Sequence, residues 1–275
     1  MKAAFFAKHG GPEELQFDEY KDPVLGAGQV MVDVHAASVN GADWRVVAGS
    51  YGPVAFFPYS PGRDFSGVVS ALGDGAKDFK IGDEVFGVCD VGTEAAYAEK
   101  VAIKEAIIAK KPAKLTHVES AAVALIGLTA LVSVEDTLQL KKGETILVQG
   151  GAGGVASFAI QIAKHIGARV ITTASAANHA YLKTLGADQI IDYNKDDFTK
   201  VVSDVDAVFD TVGGDVATCS YEVLKAGGRA AFIASGAKAP PTPRTDVKGL
   251  RPAVGRDRPH LDRISSLIAS GAVKV

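Results

Sequence analysis

The sequence predicts an α/β protein, a β-rich first part followed by a doubly wound parallel sheet. Three observations carry this. Up to about residue 115 the chain is made of short β-type runs broken by glycine and proline. After about residue 117 strands and helices alternate, the rhythm of right-handed βαβ units. Between one buried strand and one helix lies the run Gln149-Gly150-Gly151-Ala152-Gly153-Gly154-Val155-Ala156. At roughly 150 residues per domain, a chain of 275 residues is expected to form two domains.

In the first part, strands are expected over Lys2 to Ala7, Gln29 to Val39, Asp64 to Leu72, Glu84 to Val88 and Ala96 to Ile103, with turns at Pro23, Gly28, Gly73 and Gly82. Pairing is mostly antiparallel. Glu119 to Leu138 is alanine- and leucine-rich and predicts a helix broken near Gly127. Thr145 to Gln149 reads as a buried strand, and Val155 to Ile166 as a helix stopped by Gly167. Arg169 to Thr173 is the next strand and His179 to Leu185 the next helix, ended by Gly186. Ile190-Ile191, Ala207 to Phe209 and Arg229 to Ile233 complete the strands of the sheet. Ala237 to Arg244 is proline-rich and extended; a strand-like piece (Val247 to Leu250), an amphipathic helix (His260 to Ala269) and a strand-like Val273 to Val275 follow.

Composition narrows the function classes. Hydrophobic residues are 47% and charged residues 22%, which is globular, and 29 Lys plus Arg against 32 Asp plus Glu give a net charge of −3. No basic block marks a nucleic-acid or membrane surface. Cys89 and Cys219 are too few for a disulfide framework or a four-thiolate zinc site. No apolar run is read as approaching a membrane span, and the N-terminus reads as a strand, so a cytoplasmic protein is expected. The six histidines are scattered, with no Gly-x-Ser-x-Gly or His-Glu-x-x-His pattern.

The glycine run points to a cofactor. Gly151-x-Gly153-x-x-Ala156, with Gly154 and Val155 opening the helix, lets backbone approach a pyrophosphate with no Cβ in the way. The helix start then offers unpaired N–H groups and a positive dipole end. A site for NAD usually carries an acid about 20 residues on, at the end of the second strand. Here that strand ends Thr173-Ala174-Ser175, and no acid lies between Glu144 and Asp188. Ser175 and Asn178 are therefore expected at a 2′-phosphate, with Tyr193 near the adenosine, and NADPH is the expected cofactor. Ser175 and Asn178 also suit helix capping.

At this point the chain resembles the medium-chain dehydrogenase/reductase superfamily, in its zinc-independent, ζ-crystallin-like quinone oxidoreductase branch. The matching landmarks run in order: Ala37 to Asp43, Pro61 to Gly67, Gly82 to Val85, the glycine run, Leu185 to Asp188, and Phe209 to Gly213. The resemblance implies a GroES-like β-rich catalytic domain over 1–117 and a Rossmann domain over 118–255, with the site in the cleft between them. Residues 256–275 would be a return segment toward the catalytic domain, truncated at Val275. Where zinc-dependent relatives have cysteine and a His-Glu pair, this chain has Asn40 and Arg63-Asp64; amide and guanidinium are poor zinc ligands, so no metal is expected.

By position Asn40, Tyr51 and Arg63 are expected to face the substrate, with Asn40 and Tyr51 donating to its oxygen. The resemblance implies Asn40, Asp43 and Tyr51 as cleft residues; a turn amide, a buried salt-bridge member and a packed aromatic are their alternatives. Asp43 and Asp64 are expected to be structural. Thr129 falls near the nicotinamide, Val212 backs the ring, and Ser235 lies at the cofactor edge; helix back-bonding, a core valine and a turn serine are their alternatives. The function expected is NADPH-dependent, zinc-free hydride transfer to a quinone or an α,β-unsaturated carbonyl, in a homodimer without nucleic-acid or membrane partners. The alternative is a non-catalytic NADPH-binding protein.

Overall fold

The computed structural model describes every residue of the chain except 237 and 243. It divides into two units, Met1–Leu125 with Arg256–Ala269 and Val275, and Ile126–Gly255 with Ser270–Lys274.

The first unit is built on antiparallel strands. β1 (Lys2–Phe5) pairs with β2 (Gln16–Glu19). The main sheet comprises β3 (Gln29–Ala37), β4 (Asp64–Leu72), β5 (Glu84–Val88), β6 (Lys100–Lys104) and β7 (Ile108–Lys110), in the order β6-β3-β4-β5-β7. Alternate residues of these strands point inward, so Val30, Val32, Phe65, Val69, Val85, Val101 and Ile103 meet in one apolar core. A short helix, α1 (Gly41–Val47), docks through Val46 and Val47 on Phe6 and Tyr59. The expected strand from Ala96 begins only at Lys100, and β2, β7 and α1 are not anticipated from the sequence.

α2 (His117–Leu131) runs unbroken through Gly127, contrary to the expected break. An interior glycine costs only about 1 kcal/mol of helix stability, and Gly127 is buried in packing that offsets it. The distortion falls later, as a π turn over Val132–Thr137. There Ser133 Oγ donates to the Thr129 carbonyl at 2.7 Å, and Leu138 N–H reaches back five residues to Ser133 O. The continuous stretch His117–Thr137 has 21 residues and a mean hydropathy of 1.7, enough for a membrane span by length and composition. This corrects the expectation that no apolar run approaches that length; 61% of its most apolar window is buried inside the protein, as in a core helix.

The second unit follows the predicted alternation closely. In order it contains β8 (Thr145–Gln149), α3 (Gly154–Ile166), β9 (Arg169–Ala174), α4 (His179–Thr184), β10 (Gln189–Asp192), α5 (Phe198–Val201), β11 (Val205–Asp210), α6 (Gly214–Cys219), β12 (Leu224–Phe232) and β13 (Lys248–Leu250). All six strands are parallel, ordered β10-β9-β8-β11-β12-β13. Ile146, Leu147 and Val148 are buried in succession because both faces of a parallel sheet are covered. Gly167 caps α3 at φ +92°, a left-handed turn that glycine adopts without a Cβ penalty. Arg229 ties the strand starts together, pairing with Glu144 at 2.6 Å and donating to the Asp206 carbonyl. The strand order reverses between β8 and β11, so the crevice at their carboxyl ends is the natural place for a ligand.

α7 (Arg258–Ala269) belongs to the first unit; Arg258 donates to the carbonyls of Glu105 and Ile108 and pairs with Asp78 at 2.9 Å. Val273 to Val275 form no strand; Lys274 instead exchanges hydrogen bonds with the Gln161 side chain of α3. Part of the proline-rich stretch read as extended, residues 237 and 243, lies outside the described residues.

Gly67 offers a test of the first unit. It faces Val34 across β3 and β4, where a Cβ would collide with the Asp33 carbonyl and come within 2.8 Å of Val32 Cγ1. Gly67→Ala is expected to destabilise this unit by about 3 kcal/mol. Urea unfolding followed by the fluorescence of Trp44, the single tryptophan and a member of this unit, checks it; an unshifted midpoint would refute the packing argument.

Candidate functional site

In the second unit the glycine run forms the loop from β8 into α3. Gly150 has φ +71°, and a Cβ on Gly151 would collide with Thr172 Oγ1 on β9. Gly153 caps α3 without any side chain, and the first turn carries no acid. Gly153 and Gly154 are exposed. The opening amides of a 13-residue helix are thus presented as bare donors with the positive dipole end behind them, which fits a pyrophosphate.

Buried polar groups brace this loop. Thr173 Oγ1 accepts from Gly150 N–H at 3.0 Å and donates to Gln149 Oε1 at 2.7 Å. Thr211 Oγ1 donates to the Gln149 carbonyl at 2.8 Å. On the far side of the crevice, Asp210 is fully buried, and burial raises its pKa. Its Oδ1 accepts from Val212 N–H (2.6 Å) and Gly213 N–H (2.9 Å), fixing the turn that carries Val212. Val212 is half-exposed, and a side chain on Gly150 would touch its Cγ2, so the two loops meet at the reversal of strand order. Gln149, Thr173 and Asp210 were not singled out from sequence; a glutamine closing the run Ile146 to Gln149 was the one visible signal.

The other expected cofactor residues lie at or beyond the same strand ends, except Thr129. Ser175 directly follows β9, and Asn178 Nδ2 donates to its Oγ at 3.2 Å. No carboxylate accompanies them from Ser175 to His179. Tyr193 follows β10 and is 60% exposed. Val155 is half-buried in the first turn of α3. Ser235, beyond β12, donates to the Lys238 carbonyl at 3.2 Å, which binds it into a local turn. Thr129 is half-buried within α2, where its carbonyl accepts from Ser133.

In the first unit, Asn40, Tyr51 and Arg63 are joined by one hydrogen-bond and ion-pair network. Asn40 precedes α1, and its N–H donates to Asp43 Oδ2 at 2.8 Å, an N-terminal cap. The Asn40 amide hydrogens point at Asp64 Oδ1 (2.9 Å) and Ser38 Oγ (3.3 Å). Asp64 also accepts from Ser38 Oγ (2.8 Å) and Leu125 N–H (3.2 Å), and burial pushes its pKa up to about 7. Burial raises Asp43 too, although Asn40 and the Tyr97 hydroxyl (2.8 Å) both donate to it. The Arg63 side chain is only 5% exposed, with Nε 3.6 Å from Asp43 Oδ1 and Nη2 3.4 Å from Glu94 Oε1. Its guanidinium lies 4.4 Å beneath the Tyr51 ring, with Nη1 3.4 Å from the hydroxyl. Tyr51 itself is 46% exposed. The structure thus places Arg63 behind Tyr51. Glu94 and Tyr97 escape the sequence reading because nothing local marks a distant ion-pair partner.

A second constellation has the chain order of hydrolytic chemistry without its exposure. Ser66 Oγ is 2.8 Å from His117 Nδ1, and His117 Nε2 is 3.2 Å from Glu84 Oε1. Ser66 is fully buried and gives its own proton to the Val85 carbonyl at 2.9 Å, so no nucleophile is presented. Among the described residues no three His, Cys, Asp or Glu side chains converge as metal ligands.

The Asp64 pKa makes a pH prediction. The carboxyl holds its proton up to about pH 7 when folded but only to about 3.8 when unfolded, so folding takes up a proton between these values. Its contribution to stability is complete below about pH 4 and is lost as pH rises through about 7. Asp64→Asn is therefore expected to flatten the decline in unfolding free energy over that window. An unchanged slope in denaturant titrations at several pH values would refute it.

Comparison with known proteins agrees with both halves. Residues 26–113 match the family model "Alcohol dehydrogenase GroES-like domain" and residues 154–253 match "Zinc-binding dehydrogenase". The chain is 34% identical over 287 residues to a 2-methylene-furan-3-one reductase of Solanum lycopersicum, covering 100% of this chain and 70% of that protein. It is 33% identical to a chloroplastic NADPH-dependent alkenal/one oxidoreductase of Arabidopsis thaliana, covering 100% and 71%. The solved quinone oxidoreductase of Coxiella burnetii superposes with a TM-score of 0.91 at 34% identity, covering 100% of this chain and 89% of that one. With a GroES-like antiparallel sheet, a Rossmann sheet and these relatives, the chain is an oxidoreductase that belongs to the medium-chain dehydrogenase/reductase superfamily, in the branch of quinone oxidoreductases and alkenal/one reductases.

Proposed function

We propose that the protein is an NADPH-dependent, zinc-free reductase that delivers hydride to a quinone or an α,β-unsaturated carbonyl. The observation that carries the reading is the Rossmann loop. It pairs an α3 start without any side-chain cap with a β9 end that bears Ser175 and Asn178 where a carboxylate would repel a 2′-phosphate. The names of the tomato, Arabidopsis and Coxiella relatives support the substrate class.

The reduced nicotinamide, when bound, supplies the hydride. The amides following Gly153 would hold the pyrophosphate, on a loop braced by Thr173 and Gln149. Val212, fixed by Asp210, would give the cofactor an apolar backing. At the substrate, the two hydrogens of the Asn40 amide are directed at Asp64 and Ser38, whereas the Tyr51 hydroxyl accepts from Arg63 and keeps its own proton to give. Tyr51 is thus the donor to the oxygen on which charge builds, and Asn40 orients Asp64. The zinc-free reading rests on the donor set, since an amide and a guanidinium occupy the ligand positions and Asp64 is engaged by Ser38, Asn40 and Leu125.

NADPH is expected to bind more tightly than NADH in fluorescence titrations, and Ser175→Asp should shift the preference toward NADH. Equal affinities in the unaltered protein would refute the cofactor reading. Elemental analysis is expected to find no stoichiometric zinc, and chelators should leave quinone reduction unchanged; loss of activity on chelation would refute the zinc-free reading.

A further inference from the structure

We propose that Glu94 is a positioning residue for the reduction: it fixes Arg63, and through Arg63 the ring and hydroxyl of Tyr51. The proposal rests on the reading of Tyr51 as the donor to the substrate oxygen.

Tyr51 lies in an irregular segment between α1 and β4, and its side chain is almost half exposed. Among the described residues, its hydrogen-bonding and ring partner is Arg63 alone. The hydroxyl position therefore depends on where the guanidinium lies. A guanidinium is a planar, permanently charged fork, and here it is nearly excluded from water between two carboxylates. Asp43 sits at 3.6 Å and already accepts from Asn40 N–H and Tyr97 OH. Glu94 sits at 3.4 Å and is built to face Arg63. Its Oε2 accepts from the Tyr59 hydroxyl and from Gly92 N–H (2.9 Å), which leaves Oε1 toward the guanidinium.

A second cation makes the Glu94 charge decisive. Burial lowers the pKa of Arg256 and the nearby Arg63 charge lowers it further, opposed by Asp90 and Glu94. Its Nε is buried without a hydrogen-bond partner, as are Nε and Nη2 of Arg63. Without the Glu94 charge, two poorly solvated guanidiniums repel with less compensation, and any displacement of Arg63 carries Tyr51 with it.

Glu94→Gln keeps the shape and the acceptor for Tyr59 and Gly92 while removing the charge. With NADPH and a quinone, kcat is expected to fall about tenfold, as for loss of one oxyanion donor at the weak end of the range. NADPH affinity should stay within about twofold, because the Rossmann loop is untouched. Tyr51→Phe should cost about the same, and the double variant Glu94→Gln with Tyr51→Phe no more than Tyr51→Phe alone. Full additivity of the two losses would overturn the proposal, as would an unchanged kcat in Glu94→Gln.

A readout independent of turnover uses 3-fluorotyrosine and ¹⁹F NMR, with the Tyr51 signal assigned by its loss in Tyr51→Phe. In Glu94→Gln that signal should move toward the shift of a solvent-exposed tyrosine; a signal that stays put overturns the proposal. Arg63→Lys, which keeps the buried charge but not the flat surface, should move it likewise and serves if Glu94→Gln does not fold. Absence of quinone turnover in the unaltered protein would sink the functional reading instead, and the ¹⁹F arm would still decide whether Glu94 places Tyr51.

Discussion

A permanent positive charge held almost out of water dictates the architecture of the first unit. The fold brings carboxylates to the buried guanidinium of Arg63, Asp43 from the first turn of α1 and Glu94 from the loop after β5. Asp43 can be there only if α1 forms, which the Asn40 N–H bond to its carboxylate ensures. Glu94 can be there only if Tyr59 and Gly92 hold it. A pair of carboxylates around one guanidinium is expensive to bury, and the arrangement gains nothing that a leucine and a phenylalanine would not supply more simply. What it supplies is orientation: one flat, charged face offered to a tyrosine that has nothing else to lean on.

The second unit meets the opposite constraint. Here the exposed surface is made by leaving groups unsatisfied. Gly153 offers no side chain to the α3 amides, no carboxylate stands from Ser175 to His179, and Gly153 and Gly154 are exposed. The stiffness needed to hold such a bare surface comes from one layer below, where Thr173, Gln149, Thr211 and Asp210 satisfy the backbone of the two loops that flank the reversal of strand order. Bare amides face outward on glycine, and rigidity is supplied inward by hydroxyls, an amide and a carboxylate.

This division explains what could be read from the chain. The strands β4, β5 and β8 coincide with their expected limits, and α3 with its stop at Gly167 differs by one residue, because apolar runs and positive-φ glycines are local requirements. Gly151 and Gly153 were legible for the same reason. The helix break is expected at Gly127 because glycine is the stronger sequence signal, whereas the distortion occurs as a π turn at Val132–Thr137, where Ser133 bonds the Thr129 carbonyl. α1 is not anticipated although Asn40 and Asp43 are spaced as a cap. Arg63 is expected to face the substrate from its position in the sequence; the structure adds that its guanidinium is buried between Asp43 and Glu94, the latter 31 residues away in sequence. Charge pairing of this kind is a property of the folded sheet, invisible in any window of sequence.

The first unit is discontinuous along the chain, and synthesis makes this a matter of timing. The guanidinium of Arg258 that covers the end of the main sheet lies 150 residues beyond Ile108, whose carbonyl it binds. At about 5–20 residues per second, roughly 10–30 s separate the emergence of the two from a ribosome. During that interval β7 has its pairing with β5 but not its helix, while the whole parallel sheet of the second unit is being made. The nascent first unit is therefore a surface still waiting for α7, and a cell making this protein must keep that surface from finding another chain first.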